Sequence, residues 1–148
     1  MKTKTMTVSA DFEEFLKLLN KNKVSYLIVG GYAYAIHFKP RFTNVIDIFI
    51  FAESENAGKV LNALKDFGFG ELKVSVKDLT KPDQVIQLGY SPLRIDLMTS
   101  ISGVDFRTAW KNKIKRKYGK QNVFFIGKNE FILNKKSSGR KKDLADLE

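Results

Sequence analysis

The chain has no cysteine, so disulfide cross-links, thiolate nucleophiles and sulfur-ligated metal centres are excluded. It has one histidine, His37, which rules out histidine-rich metal sites and any mechanism that needs two imidazoles. Long apolar runs are also missing. Nothing approaches the roughly 20 residues that span a bilayer, and the basic N-terminus is followed by neither an apolar stretch nor a small-residue cleavage site. A protein of the cytoplasm, with no membrane association, is the expectation. Acids are the scarce charge: 16 Asp and Glu stand against 26 Lys and Arg, a net charge of +10 that favours polyanionic partners such as nucleotides or nucleic acid.

What is present suffices for a core. Hydrophobic residues make up 43% of 148 residues, which fits one domain spanning 1–148. Phe12, Phe15, Leu16 and Leu19 recur at helical spacing behind Ser9, a good N-cap. "VSYLIVGG" reads as a strand closed by two glycines, "YAYAIHF" as a short helix broken at "KPRF", and "VIDIFIF" as the best strand candidate. Ser54 reads as the cap of a helix that runs through Phe67 and is stopped by Gly68. "ELKVSV", "QVIQLGY" and "LRIDLMT" read as strands, with a turn at "KPDQ" between the first two. Beyond them the pattern is mostly helical, interrupted by a short strand at "NVFFIG". This order predicts an α/β domain: a mixed β-sheet flanked by helices, with a helical C-terminal segment.

Two acids lie inside apolar strands. Alternation puts Val45, Asp47 and Phe49 on one side of their strand and Ile46, Ile48 and Ile50 on the other, and it sets Asp96 apart from Ile95 and Leu97 in the same way. If the two strands are neighbours, Asp47 and Asp96 converge. A carboxylate in such a setting needs a cation or a donor, so the pair points either to a shared metal or to ion pairs with Arg41, Arg94 or Arg107. The glycines at 30 and 31 sit between a strand and a helix start. There, free backbone N–H groups can hold a phosphate, although a tight turn alone would also explain them. The basic runs "WKNKIKRKYGK" and "NKKSSGRKK" are compatible with a solvated face or with an RNA-contacting surface.

"YLIVGGYAYAIHFKPRFTNVIDIFI" resembles the signature of small nucleotidyltransferases of the polymerase-beta-like superfamily, in particular the minimal and type IV toxin-like branch. That signature runs strand, Gly-Gly, a helix with alanine and histidine, then Arg-x-Thr-x-Asp-x-Asp. The likeness continues through "RIDLMTSISGVDFRTAW" and "FILNKKSSGRKKDLADLE". It implies a nucleotidyltransferase-like fold and transfer of a nucleoside monophosphate from a nucleoside triphosphate to an acceptor hydroxyl, with Mg²⁺ as cofactor. It also implies Asp47 and Asp96 as catalytic metal ligands. Gly30, Gly31, Arg41, Thr43, Lys135, Arg140 and Lys142 would contact the nucleotide. The branch further suggests tRNA or another nucleic acid as acceptor and an antitoxin-like protein as partner.

One position departs. Where the resemblance calls for the first acid of the pair, the chain has Val45, which offers no oxygen to bridge two metal ions. Three readings follow: a transferase that tolerates the loss with impaired activity, a nucleotide- or RNA-binding module that has lost turnover, or a substitution introduced into an active sequence.

Overall fold

Ser9 caps the first helix, as its sequence context predicts: its hydroxyl accepts from Phe12 N–H, and helix α1 (Ala10–Lys21) buries Phe12, Phe15, Leu16 and Leu19. The computed structural model describes residues 8–89 and 93–148. Strand β1 (Tyr26–Val29) is buried along its whole length, the pattern of a strand covered on both faces. It runs directly into α2 (Gly30–His37). Strand β2 (Val45–Ile50) follows. Helix α3 (Ser54–Phe67) is capped by Glu53, one residue before the serine expected to do so, and ends at Gly68 in the left-handed region, φ 104°.

The segment read as a strand at "ELKVSV" is not one. Ser75 and Asp78 form a reciprocal capping box that starts α4 (Val76–Thr80), and this outweighs the alternation of Leu72, Val74 and Val76. Strands β3 (Val85–Leu88) and β4 (Arg94–Met98) lie where expected, although Tyr90 of the "QVIQLGY" motif lies outside the described residues. After α5 (Phe106–Lys111) comes a second correction: the basic run expected to be helical contains strand β5 (Ile114–Tyr118), paired with β6 (Gln121–Phe125). Helices α6 (Lys128–Ser138) and α7 (Lys141–Ala145) complete the chain.

The six strands form one mixed sheet in the order β3-β4-β2-β1-β6-β5. β2 runs antiparallel to β1 and parallel to β4, and β1 runs parallel to β6. Ile46, Ile48 and Ile50 are buried, as alternation requires of the core-facing set. β5 is an edge strand whose Lys115, Arg116 and Lys117 are all exposed, a charged edge that discourages pairing with another sheet. Among the described residues, no helix is long and apolar enough to cross a membrane.

Candidate active site

Register decides what meets what. Asp47 pairs across the sheet with Val29 of β1 on one side and Asp96 of β4 on the other. Directly aligned residues on parallel neighbours share a face about 4.8 Å apart, so the two acids lie side by side, as the strand pattern predicts. Gly30, the residue after Val29, lies against the Asp47 carboxylate with φ +67°. A β-carbon at Gly30 would overlap Asp47 Oδ2, so glycine is required both by the backbone and by the acid.

The two acids are not equivalent. Arg94, two residues before Asp96 on the same face of β4, grips it with Nε on Oδ1 at 3.0 Å and Nη2 on Oδ2 at 3.1 Å. From β3, the Gln87 amide, oriented with its oxygen toward the guanidinium, accepts from Arg94 Nε at 2.9 Å and Nη1 at 2.8 Å. Asp96 is therefore buried and already neutralised. Asp47, by contrast, has no hydrogen bond or ion pair with any described side chain. Burial, and next the negative charge of Asp96, push its carboxyl up to about 6, against weaker opposing pulls from Arg94, Lys135 and Lys142.

Val45 pairs with Arg94 in the same register, so the guanidinium stands beside the position where a bridging carboxylate would be expected. Thr43 does not face open space. Its hydroxyl accepts from Val45 N–H at 3.2 Å and donates to Val45 C=O at 3.1 Å, and its methyl packs on Gly31. Both residues shape the entry to β2.

The cations expected to meet phosphate are largely occupied. Lys135 donates to Asp143 at 3.1 Å and to Asp146 at 2.9 Å, Arg140 to Asp143 at 2.7 Å, and Arg41 to Asp146 at 2.6 Å. Arg41 also lies 3.7 Å over the Tyr34 ring. Burial pushes Asp143 up, but hydrogen bonds from Ser138, Arg140 and Lys135 outweigh it and hold its carboxyl far below the usual range. Hydrogen bonds from Arg41, then Lys135, likewise lower Asp146. Lys142 is exposed. His37, the sole histidine, has Nε2 2.7 Å from Ile126 C=O, a structural contact away from the acids.

A cleft of about 340 Å³ opens beside Asp47, lined by Val29, Gly30, Ser100, Ser102, Asn134, Lys135, Ser138, Arg140 and Asp143 among others. Asp96, Arg41, Thr43, Gly31 and Lys142 do not line it. Of the nine residues assigned from sequence, Gly30, Asp47, Lys135 and Arg140 thus share one cavity, and Asp96 lies behind it with its charge spent on Arg94. Of the ion pairs offered from sequence for the two acids, Arg94 with Asp96 forms, while Asp143 and Asp146 were not assigned roles. Arg94 was legible by parity, two residues from Asp96; the pairing of Arg41 with Asp146, 105 residues apart, was not.

The donor set does not fit a pair of Mg²⁺ ions. Such a pair needs hard oxygen ligands shared between the ions, whereas the site offers one unpaired carboxylate, one gripped by arginine, and a valine. Among the described residues, no three or more His, Asp or Glu side chains are grouped for metal binding.

No protein-family model and no curated protein sequence matches the chain. Solved structures do. One is TM1012 from Thermotoga maritima, provisionally assigned as a nucleotidyltransferase. It superposes with a TM-score of 0.63 at 15% identity, over 92% of this chain and 87% of that one. Another is the lincosamide antibiotic adenylyltransferase LnuA with lincomycin bound, which gives 0.54 at 16% identity, over 97% of this chain and 96% of that one. The fold is nucleotidyltransferase-like. At these identities the likeness is one of architecture, and it agrees with the mixed sheet and the helices that flank it.

Proposed function

We propose that the chain binds a nucleoside triphosphate in the Asp47 cleft and has lost most or all of its capacity to transfer the nucleoside monophosphate. The observation that carries this reading is the state of the acid pair. Val45 supplies no oxygen, and Arg94 holds Asp96 through both of its own. The guanidinium balances a charge that in a working transferase would be balanced by metal. What remains is a polar cavity with Gly30 on one wall and Lys135 and Arg140 on another, a setting that a phosphate chain could enter. Adenylyl transfer by LnuA, a protein of the same architecture, is consistent with a nucleotide as the ligand.

A second reading, slow transfer, is favoured by one feature of the site: Asp47 has no hydrogen-bond or ion-pair partner among the described residues, and burial and then Asp96 push its carboxyl up to about 6. A carboxylate with that pKa takes a proton from an acceptor hydroxyl more readily than an ordinary aspartate. The hydroxyl oxygen would then bond to the alpha phosphorus as the bond to the beta-phosphate oxygen breaks and pyrophosphate departs. The acceptor would be tRNA or another nucleic acid, in keeping with the +10 charge.

Calorimetry with each nucleoside triphosphate, alongside transfer of label from the alpha phosphate to total tRNA in the presence of Mg²⁺, separates the two. The expected result is binding without transfer in the parent, and a gain on the order of 10² or more in Val45→Asp, tested alone and with Arg94→Gln. Robust transfer by the parent, or no nucleotide binding at all, overturns the proposal. An antitoxin-like partner fits the same reading and is tested by co-purification of the neighbouring gene product.

A further inference from the structure

The face of β2 that bears Asp47 continues, by alternation, to Phe49 and Phe51. Both rings meet Phe106 of α5: Phe49 edge-on with centroids 5.0 Å apart, and Phe51 stacked at 5.2 Å with 17° between planes. Phe106 in turn stacks on Trp110, one helical turn later, at 5.7 Å and 20°. A second cavity of about 340 Å³ opens on this column, lined by Ser25, Phe51, Phe106, Arg107, Trp110 and Lys111. It lies four residues along the strand from Asp47, or about 13 Å. None of its residues belongs to the Asp47 cleft.

Cations surround the rings. The Arg107 guanidinium lies 4.8 Å over Phe51, Lys113 Nζ lies 4.0 Å over Trp110, and Lys111 is exposed at the rim. The acids nearby are already used as helix caps: Glu53 accepts from the backbone of Glu55 and Asn56, and Asp105 from Thr108. The Ser25 hydroxyl makes no hydrogen bond to a described residue and is available to the edge of a bound ring. Stacked aromatics ringed by Arg and Lys match the two halves of a nucleotide, a flat base and an anionic phosphate.

We propose that this cavity is a base-stacking site for single-stranded nucleic acid, separate from the nucleoside triphosphate cleft and on the same face of the sheet. One base enters among Phe51, Phe106 and Trp110, while flanking phosphates meet Arg107, Lys111 and Lys113. A strand held there runs along the face toward Asp47. The site does not depend on nucleotide binding in the cleft, and the two fail separately.

Trp110 is the only tryptophan, so fluorescence excited selectively at tryptophan, beyond the absorption of the five tyrosines, reports on this cavity alone. Titrating the full chain with an octauridylate at low salt should quench that fluorescence saturably. An abasic octamer of equal charge should bind on the order of tenfold more weakly and leave the emission unquenched. With three phosphate contacts, the logarithm of affinity should fall with the logarithm of salt at a slope of about −2, and Arg107→Ser or Lys111→Ser, both at exposed positions, should flatten it by about 0.7 each. Anisotropy of a labelled octamer with Trp110→Leu gives an independent readout, again on the order of a tenfold loss. Asp47→Asn should leave the titration unchanged. Absence of quenching, equal binding of the abasic octamer, unchanged binding by both serine variants, or a loss in Asp47→Asn equal to that in Trp110→Leu would each overturn the proposal.

Discussion

Asp47→Asn should stabilise the protein, and the size of the effect follows from the site. The Asp47 carboxyl is raised from 3.8 to about 6 by burial and by Asp96, a difference of about two pH units and therefore about 3 kcal/mol between its charged and neutral forms. Because the folded value is the higher one, the folded state prefers the protonated acid. The group adds nothing unfavourable below pH 4, its penalty grows as pH rises from 4 to 6, and it is fully felt above 6. Asparagine keeps the shape and removes the charge. At pH 8 the variant should gain about 2–3 kcal/mol, or about 5–10 °C in Tm for a chain of this size, and at pH 4 the gain should vanish. Thermal melts of parent and variant at the two pH values are the assay. A variant no more stable than the parent at pH 8, or equally stabilised at both pH values, refutes the assignment of Asp47 as a partly buried acid without a counter-ion. An unpaired acid kept at such a cost is what a binding or catalytic site looks like, since a group serving stability alone would be paired or replaced.

Two further substitutions probe the walls of the cleft. Gly30→Ala should cost about 2 kcal/mol through its positive φ and should abolish nucleotide binding by displacing the Asp47 carboxylate; denaturant melts and calorimetry report the two losses, and wild-type binding would contradict the role of the glycine turn. Asp143→Asn leaves buried Lys135 with Asp146 as its remaining acid and removes the acid partner of Arg140. It should lower unfolding free energy by about 3 kcal/mol in a denaturant titration, and a change below about 0.5 kcal/mol would show that the C-terminal ion network does not hold α7 in place.

Helices with explicit caps were legible from the sequence, because Ser9 and Gly68 act through a few neighbouring atoms. So was the placement of Asp47 beside Asp96, since alternation fixes the face of a strand once the strand is recognised. The two misread segments failed for opposite reasons. Between Leu72 and Val76 the apolar residues alternate like a strand, but the Ser75–Asp78 capping box provides hydrogen bonds that a strand there would lack. In β5, only Ile114 and Tyr118 turn toward the protein, four residues apart as on a helix, and it is pairing with β6 that extends the segment. The cations of the candidate site were legible as residue types but not as free or engaged. Asp146 reaches Arg41 and Lys135 only because α7 packs on α6 and brings the residue after it to the segment that follows α2, a long-range event that no local pattern encodes.

The Asp47 site has one available carboxylate where two bridged metal ions need several. Anomalous scattering from crystals soaked in Mn²⁺ with a non-hydrolysable nucleoside triphosphate counts the ions directly. The expected result is nucleotide in the Asp47 cleft with at most one ion, held by the phosphates and Asp47, and the Arg94–Asp96 pair intact. Two ions bridged by Asp47 and Asp96, with Arg94 displaced, would contradict it.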